Sequence, residues 1–327
     1  MQTFSIIIPV YNRPDEIEEL LASLAAQTDT DFEVLVVEDG STCRCDAVCA
    51  KYIDKLAIHY FYKPNSGRSD TRNFGMAHAS GNYFIFFDSD CIIPAHYIET
   101  VRKHLNRQYV DCYGGPDSAD ASFSSLQKAI SYSMTSFMTT GGIRGATKQV
   151  EKFSPRSFNM GLSRQVYDVI GGYKNMIGED IDLSIRIKKA GFSTRLFPDT
   201  CVFHKRRVNL YKFYKQVNTF GKGRVLLHRI HPDSLKPVHL LPALFVIGHL
   251  GLLTAAVIAG DGRWLLPVAL YCAAIPVESF IKNRQLKVAL LSVVTSYIQL
   301  FGYGVGFITE LLTHKASRAT QEALYGR

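Results

Sequence analysis

Residues 81–91 read Gly81-Asn82-Tyr83-Phe84-Ile85-Phe86-Phe87-Asp88-Ser89-Asp90-Cys91. The dense aromatic and β-branched run behind a glycine predicts a fully buried strand. This strand ends at two carboxylates, Asp88 and Asp90, that one serine separates. Ligands of open α/β sheets bind outside the carboxyl ends of the strands, and paired oxygen ligands there suit a divalent ion that holds phosphates. The two aspartates also fit a plain turn that caps the following helix.

The sequence before this strand alternates predicted strands and helices. Strands are predicted at residues 4–10, 32–37 and 57–62, with a helix over residues 15–26 between the first two. Such a βαβ unit is expected to form a parallel sheet with a right-handed crossover. The pattern predicts an α/β fold whose strand ends carry polar residues.

The second half of this region is less regular. Residues 118–145 are rich in Ser, Thr, Gly and Met, and we interpret them as a mobile segment near the substrate. Order returns with a predicted strand at 158–162 and a helix at 178–187. Two edge strands are predicted at 193–197 and 200–203, with His204 at the tip of the second.

Charge and composition point to a membrane. The 327-residue chain is 47% hydrophobic with a net charge of +8, and much of the positive charge lies between His204 and Lys236, next to an apolar region. This position favours an anionic membrane surface over nucleic acid, and no DNA- or RNA-binding motif accompanies the charge. The seven cysteines lack zinc-site spacing, so reduced thiols are expected. The chain opens on a strand without a secretory signal, so the front of the protein is expected in the cytoplasm.

Six motifs occur in a fixed order. They are Ile8-Pro9-Val10-Tyr11-Asn12, Glu38-Asp39-Gly40-Ser41, Thr71-Arg72-Asn73-Phe74-Gly75, Asp88-Ser89-Asp90, Gly171-Gly172-Tyr173 and Glu179-Asp180-Ile181-Asp182-Leu183. In this order they resemble the motifs of family 2 glycosyltransferases. The resemblance implies an α/β GT-A fold, a nucleotide-sugar donor, a divalent metal and inversion at the anomeric carbon. The later sequence from Phe220 to Arg224, followed by apolar segments, is similar to the membrane-bound branch with ExoA-type enzymes of exopolysaccharide assembly.

The resemblance assigns the donor-binding residues. Tyr11 offers a ring to the nucleobase, Asp39 accepts a hydrogen bond from the base or ribose, and Arg72 pairs with base or phosphate. Taken alone, the three residues also fit a packed aromatic, a turn aspartate and a solvated arginine. The resemblance adds Pro9, Asp88 and Ser89 as further nucleotide-sugar contacts.

The metal site is expected at Asp90. The ion, Mn²⁺ or Mg²⁺, would bridge the diphosphate oxygens and stabilise charge on the leaving group. In the resembled family a downstream histidine can complete the site, and His204 is the positional candidate. An imidazole ligand favours manganese. The alternative is an interfacial histidine beside Lys205.

The resemblance singles out Asp180 as the general base, with Glu179 as a neighbour that tunes it or binds the acceptor. An inverting displacement needs a carboxylate near the acceptor hydroxyl, and a helix start that points into the cleft can hold it. The helix dipole alone favours acids there by about 0.3–1 kcal/mol, which explains Glu179, Asp180 and Asp182 equally. The roles of Glu179 and Asp180 are interchangeable at this stage.

The processive synthases of the family carry a Gln-x-x-Arg-Trp motif that grips the polymer. Residues 215–224 depart from it, and Trp264, the single tryptophan, lies in the apolar region. We therefore predict transfer of one sugar per encounter. Gln216 and Arg224 are retained as candidate contacts to the diphosphate or the acceptor.

Four segments are predicted along the chain: a GT-A catalytic domain at 1–208, an amphipathic interfacial segment at 209–236, a membrane region at 237–314 and a polar tail at 315–327. Residues 238–259 contain no Asp, Glu, Lys or Arg and are long enough to span a bilayer. Residues 264–281 and 288–312 are further candidates, so two or three crossings are both compatible with the sequence.

The sequence thus predicts a multi-pass protein of the inner (cytoplasmic) membrane with its catalytic domain in the cytoplasm. It would transfer one sugar from a nucleotide sugar, with UDP favoured, to a lipid-linked or polysaccharide acceptor. The alternatives are a synthase that uses polyprenyl phosphate as acceptor and a non-catalytic nucleotide-sugar-binding membrane protein. Membrane lipids are expected partners and nucleic acid is not.

Overall fold

The computed structural model describes residues 2–118, 123–141, 154–205 and 209–313. These form two compact units: Met1–Asp120 with Lys152–Lys205, and Ala121–Glu151 with Arg206–Arg327. The second unit therefore takes in a segment that the sequence reading placed inside the catalytic domain. The predicted domain boundaries stay predictions, and the polar tail at 315–327 lies outside the described residues.

The first unit is built on ten strands. They are β1 (Phe4–Val10), β2 (Phe32–Asp39), β3 (Ala57–Lys63), β4 (Tyr83–Phe87), β5 (Cys91–Ile92), β6 (Cys112–Gly114), β7 (Asp117–Ser118), β8 (Asn159–Ser163), β9 (Thr194–Leu196) and β10 (Val202–His204). Seven form one sheet in the order β3-β2-β1-β4-β8-β6-β9, and three form a small sheet in the order β5-β10-β7.

Twelve α-helices occur in the described residues. They are α1 (Pro14–Ala25), α2 (Asp46–Ala50), α3 (Arg68–His78), α4 (Tyr97–Arg107), α5 (Ser125–Thr135), α6 (Phe137–Thr140), α7 (Arg164–Ile170), α8 (Glu179–Lys189), α9 (Leu210–Ile230), α10 (Leu241–Ala259), α11 (Leu266–Asn283) and α12 (Leu286–Leu312). The first four, with α7 and α8, belong to the first unit, and the others belong to the second.

Strand β4 lies at the centre of the large sheet, and all five of its residues are buried. Ile85 and Phe87 face a core shared with α1 and α4, whereas Phe84 and Phe86 face a second core shared with α3, α7 and α8. Because helices cover both faces, the strand is a continuous apolar run and not an alternating one. The buried strand predicted before Asp88 is confirmed.

The sheet departs from the predicted parallel arrangement beyond β4. Strands β1 to β4 pair in parallel, but β8 is antiparallel to both β4 and β6. The prediction of two edge strands near the end of the domain is half wrong. Strand β9 lies at the edge of the large sheet, whereas β10 is the central strand of the small sheet. This central position sets His204 opposite Cys91 of β5.

The irregular segment that we interpreted as mobile contains ordered helices. Helix α5 begins with a capping box between Ser124 and Gln127, in which each side chain bonds the other residue's backbone amide. The Glu278 carboxylate of α11 then accepts hydrogen bonds from Tyr132 and Ser136, each 2.7 Å long. No helix was predicted here, because these tertiary contacts leave no periodic signal in the sequence. The predicted mobility stays a prediction, and residues 119–122 and 142–145 of the segment lie outside the described residues.

Helices α9 and α12 of the second unit approach closely through glycines. A Cβ added at Gly221 would lie 2.8 Å from the Phe307 amide nitrogen, and one at Gly306 would lie 2.9 Å from the Asn218 carbonyl carbon. The Asn218 side chain also donates a 3.1 Å hydrogen bond to the Gly302 carbonyl. Small residues let two helix backbones approach in this way, as they do in membrane helix pairs.

Three described helical segments are long and apolar enough to cross a membrane: Pro237–Ala259, Gly262–Asn283 and Leu286–Leu312. The third is half buried within the second unit, whereas the other two expose most of their apolar surface. The sequence was compatible with two or three crossings, and the structure has three helical segments that are long and apolar enough to cross.

We expect Gly306→Ala to destabilise the second unit by about 1–3 kcal/mol, because the new methyl group meets backbone atoms of α9 that cannot turn away. The matched control is Gly251→Ala in α10, where an added Cβ meets no atom within 4 Å. Thermal unfolding in detergent, followed by circular dichroism, should show a lower midpoint for Gly306→Ala alone. Equal midpoints would contradict the close glycine packing.

Candidate active site

The parallel strands β1 to β4 bring four loops to one edge of the large sheet. The residues that follow or end these strands there are Tyr11 after β1, Asp39 in β2, Lys63 in β3 and Asp88 after β4. Strand β8 runs in the opposite direction and pairs Asn159 with Phe87 at the same edge. This edge is where open α/β sheets bind their ligands.

The Asp39 carboxylate organises the loop between β3 and α3. Its Oδ1 accepts hydrogen bonds from Lys63 Nζ and from the Ser66 amide (2.9 Å), and its Oδ2 accepts one from the Gly67 amide (2.9 Å). Burial alone would raise the pKa of Asp39, but the Lys63 ammonium and the Ser66 amide outweigh it and lower the pKa. The Asp39 carboxylate therefore shapes this loop, and its predicted hydrogen bond to the base or ribose stays a prediction.

Arg72 is buried, with 2% of its surface exposed. Its Nη2 donates a 2.6 Å hydrogen bond to Asp88, its Nη1 donates one of 3.3 Å to Glu179, and its guanidinium carbon lies 5.2 Å from the centre of the Tyr173 ring. Burial opposes the charge, yet the carboxylates of Asp88 and Glu179 raise the pKa of Arg72 above its ordinary value. Arg72 thereby joins the end of β4 to the start of α8, and its predicted contact to base or phosphate stays a prediction.

The small sheet brings together the predicted metal ligands. Asp90 Oδ1 lies 3.0 Å from His204 Nε2, and the ligand atoms of Asp90, Cys91 and His204 all lie within 4.8 Å of one another. His204 stacks on Phe158 with 4.8 Å between ring centres, which fixes the imidazole plane. Burial raises the pKa of the Cys91 thiol, which is 3.7 Å from the Phe158 carbonyl. A carboxylate and an imidazole fit a divalent transition ion such as manganese.

The three acids at the start of α8 have different surroundings. Glu179 is buried and accepts hydrogen bonds from Arg68 and Arg72, and the fully buried Asp182 is 2.8 Å from Arg186. Asp180 is 18% exposed, and its Oδ2 lies 3.6 Å from Arg156. Of the three, Asp180 is the carboxylate with the greatest freedom to meet a substrate.

The remaining predicted residues fall into two groups. Tyr11 is 52% exposed, Pro9 is partly buried and Ser89 is buried, all at the β1 and β4 tips of the first unit. Gln216 and Arg224 are partly buried on α9, which belongs to the second unit. Their predicted contacts to diphosphate or acceptor stay predictions.

Sequence reasoning gave no role to several residues that build the site. Asn12 has a left-handed backbone (φ 54°), and its side-chain oxygen accepts hydrogen bonds from the amides of Thr42 (2.8 Å) and Cys43 (2.9 Å). Lys63 and Arg68 hold Asp39 and Glu179, respectively. Asn12 stands inside a quoted motif, which was a usable signal. Lys63 ends β3 and Arg68 begins α3, and neither stands in one of the six motifs.

The chain belongs to glycosyl transferase family 2, whose model matches residues 5–171. This is the family that the six motifs predicted.

Curated relatives support this assignment. An uncharacterized glycosyltransferase of Rickettsia prowazekii is 34% identical over 231 residues, which cover 69% of this chain and 64% of the relative. The glycosyltransferase AglE of Haloferax volcanii is 26% identical over 264 residues, or 75% of this chain and 81% of AglE. An uncharacterized glycosyltransferase of Rickettsia conorii is 41% identical over 104 residues, but the match spans 17% of that relative's length.

Solved structures share the fold. A mannosyltransferase of Pyrobaculum calidifontis, PcManGT, in complex with GDP-Man and Mn²⁺, superposes with a TM-score of 0.64 at 17% identity, covering 91% of this chain and 87% of that one. A fragment of S. aureus TarS superposes with a TM-score of 0.50 at 17% identity, covering 95% and 91%. The predicted mixed α/β GT-A fold is confirmed.

Replacing Lys63 with Met should raise the pKa of Asp39 and destabilise the fold by about 1–3 kcal/mol at neutral pH. An aspartate with a lowered folded pKa adds stability above its ordinary pKa of about 4, and this stability is lost as the pH falls through the folded pKa. The difference between wild type and Lys63→Met should therefore shrink below about pH 4.

Thermal unfolding midpoints between pH 7 and pH 3 would measure this difference. The control is Lys51→Met, which removes an exposed ion pair with Glu18 and should change the midpoint little. A Lys63→Met effect that is constant over the whole pH range would contradict the role of the Asp39–Lys63 pair.

Proposed function

We propose that the protein transfers a single sugar, with inversion, from a nucleotide sugar to a lipid-linked or polysaccharide acceptor at the cytoplasmic face of a membrane. The observation that carries this proposal is the Asp90–His204 pair, 3.0 Å apart, in the small sheet. PcManGT, which shares the fold, holds a nucleotide sugar together with Mn²⁺. The three apolar helical segments support the membrane location.

The donor set fits a divalent metal. Asp90 and His204 supply one carboxylate and one imidazole, both largely buried and aligned by the pairing of β5 with β10. When bound, the ion would neutralise charge that develops on the departing diphosphate. His204 as a ligand favours Mn²⁺ over Mg²⁺, because magnesium prefers oxygen ligands.

The donor nucleoside is assigned to the β1, β2 and β3 tips. The exposed Tyr11 ring offers a stacking surface. Asp39 and Lys63 hold the loop after β3, and the backbone of this loop and the remaining lone pairs of Asp39 bind the base or ribose. Pro9 in β1 and Ser89 after β4 are assigned to the same nucleotide sugar. Asp88, one third exposed and held by Arg72, then faces the ribose.

Asp180 is proposed as the general base. Glu179 pairs with two arginines and Asp182 pairs with Arg186. Both carboxylates are therefore less available than Asp180 to accept a proton. Asp180 has one distant cation, Arg156, and remains partly exposed. In this role its carboxylate removes the proton from the acceptor hydroxyl as that oxygen attacks the anomeric carbon.

We expect Asp90→Ala to reduce metal-dependent release of nucleoside diphosphate by roughly a hundredfold or more, since stabilisation of the leaving group is lost. The assay uses the detergent-solubilised protein, UDP- and GDP-sugars, and Mn²⁺ or Mg²⁺. Asp199→Ala is a matched control, because Asp199 also pairs with a histidine, His104, at 2.6 Å but on the surface. Unchanged turnover in Asp90→Ala would refute the metal assignment.

Asp180→Asn should lower transfer to a sugar hydroxyl by roughly 10²–10⁴-fold. Asp182→Asn, on the same helix, should lower the unfolding midpoint but keep the activity of the folded fraction. The measurement is transfer of labelled sugar from the donor into the lipid-extractable and polymer fractions of membranes. Near-normal transfer in Asp180→Asn would favour the polyprenyl-phosphate synthase, whose acceptor needs no deprotonation of a sugar hydroxyl.

A further inference from the structure

Arg68 presents a fixed guanidinium at the surface of the first unit. Its Nε lies 2.7 Å from Glu179 Oε1, and its Nη2 donates a 2.8 Å hydrogen bond to Glu179 Oε2. The side chain is 62% exposed, although the carboxylate that holds it is 4% exposed. An ordinary surface arginine gains little stability from an ion pair and changes its conformation freely. Two hydrogen bonds to a buried carboxylate hold the Arg68 guanidinium in one orientation.

Two of the five guanidinium N–H groups of Arg68 are used in this contact. The other N–H groups lie on the edge away from Glu179, and no other ion pair of Arg68 occurs in the described ranges. The outer edge of a guanidinium held in this way matches the paired oxygens of a phosphate. Arg68 is therefore oriented before any ligand arrives.

Arg68 lies between the predicted nucleoside and metal ends of the site. The preceding residue, Gly67, donates its amide hydrogen to Asp39 Oδ2 at 2.9 Å. One helical turn further on, Arg72 contacts both Glu179 and Asp88. A donor that runs from Asp39 past Asp88 to the Asp90–His204 pair would carry its diphosphate along this end of the site, beside the start of α3.

The other two cationic groups next to this loop, Lys63 and Arg72, and two of the loop's backbone amides already have partners inside the protein. The start of a helix often binds phosphate through its free backbone amides. Here the amides of Ser66 and Gly67 donate to Asp39, and Lys63 also binds Asp39. Arg72 is buried and divides its two Nη groups between Asp88 and Glu179. The outer edge of Arg68 is the exposed cationic group that this loop leaves for an anion.

We infer that Arg68 binds the diphosphate of the nucleotide-sugar donor, and that Glu179 orients Arg68 for this contact. The inference rests on the proposed function, since it takes the donor to be a nucleotide sugar. It also gives Glu179 a positioning role and leaves the base role to Asp180. A purely structural Arg68 would hold Glu179 without touching the ligand.

The test compares a series of ligands that differ only in phosphate. Binding of uridine, UMP and UDP, and of guanosine, GMP and GDP, is measured by calorimetric titration of the full chain in detergent with Mn²⁺. The variants are Arg68→Gln and Arg68→Lys. The first removes the positive charge and the planar guanidinium, and the second keeps a positive charge beside Glu179. Arg195→Gln is the control, because Arg195 is exposed on β9 at the opposite edge of the sheet and bonds Gln108.

For the diphosphate that wild type binds, Arg68→Gln should weaken affinity by roughly 10- to 100-fold, as expected for a charge-assisted contact. Affinity for the matching nucleoside should be unchanged, and Arg68→Lys should fall between wild type and Arg68→Gln. Arg195→Gln should bind all ligands as wild type does.

Two results would overturn the inference and differ from each other. Equal losses for nucleoside and diphosphate, or no loss for either, would mean that Arg68 is a structural clamp or serves an acceptor. Wild type that binds none of the diphosphates with Mn²⁺ would refute the proposed function, and this inference with it. Arg68→Lys guards against misfolding of Arg68→Gln, because the lysine still neutralises the buried Glu179.

Discussion

The first unit depends on one buried cation, the guanidinium of Arg72. A charge removed from water costs several kcal/mol unless partners surround it, so the fold must deliver carboxylates to Arg72 from elsewhere in the chain. Asp88 arrives from the end of β4 and Glu179 from the start of α8, while Tyr173 covers the guanidinium. Satisfying this one group fixes the strand tip of the Asp-Ser-Asp triplet against the helix that carries Asp180.

The same principle operates through uncharged groups in the small sheet. Asn159 is fully buried, and its side chain accepts from Tyr97 at 2.5 Å and donates to the carbonyls of Pro116 and Thr200 at 2.9 and 2.8 Å. These bonds tie β8 of the large sheet to the segments that lead into β7 and β10. His204 thereby reaches Asp90 from a strand of three residues, Val202–His204.

Close packing of helices at glycines stabilises the second unit, whereas a buried ion pair network stabilises the first. Glycines of α9 and α12 let the two backbones meet, and polar contacts add direction, as in the pair of Arg229 with Glu310 at 2.9 Å. Glu278, an acid in an apolar helix, is satisfied by Tyr132, Ser136 and Lys282. Ionisable groups in such helices mark places where the chain needs a specific partner, and here the partner is the segment containing α5 and α6.

The sequence by itself determined the alternation of strands and helices, the buried strand before Asp88, the family and the apolar helices, because local periodicity and ordered motifs carry those signals. It indicated Asp90 as a metal ligand from its place at a strand end, and it selected His204 and Asp180 only through resemblance. Tertiary structure decided that β10 is a central strand that brings His204 to Asp90 and that residues 125–135 form helix α5. It also decided which internal partners Arg72 and Asp39 have. It also separated Asp180 from Glu179 and Asp182. These outcomes depend on which distant residues meet, and burial and pairing between distant residues leave no period in the sequence.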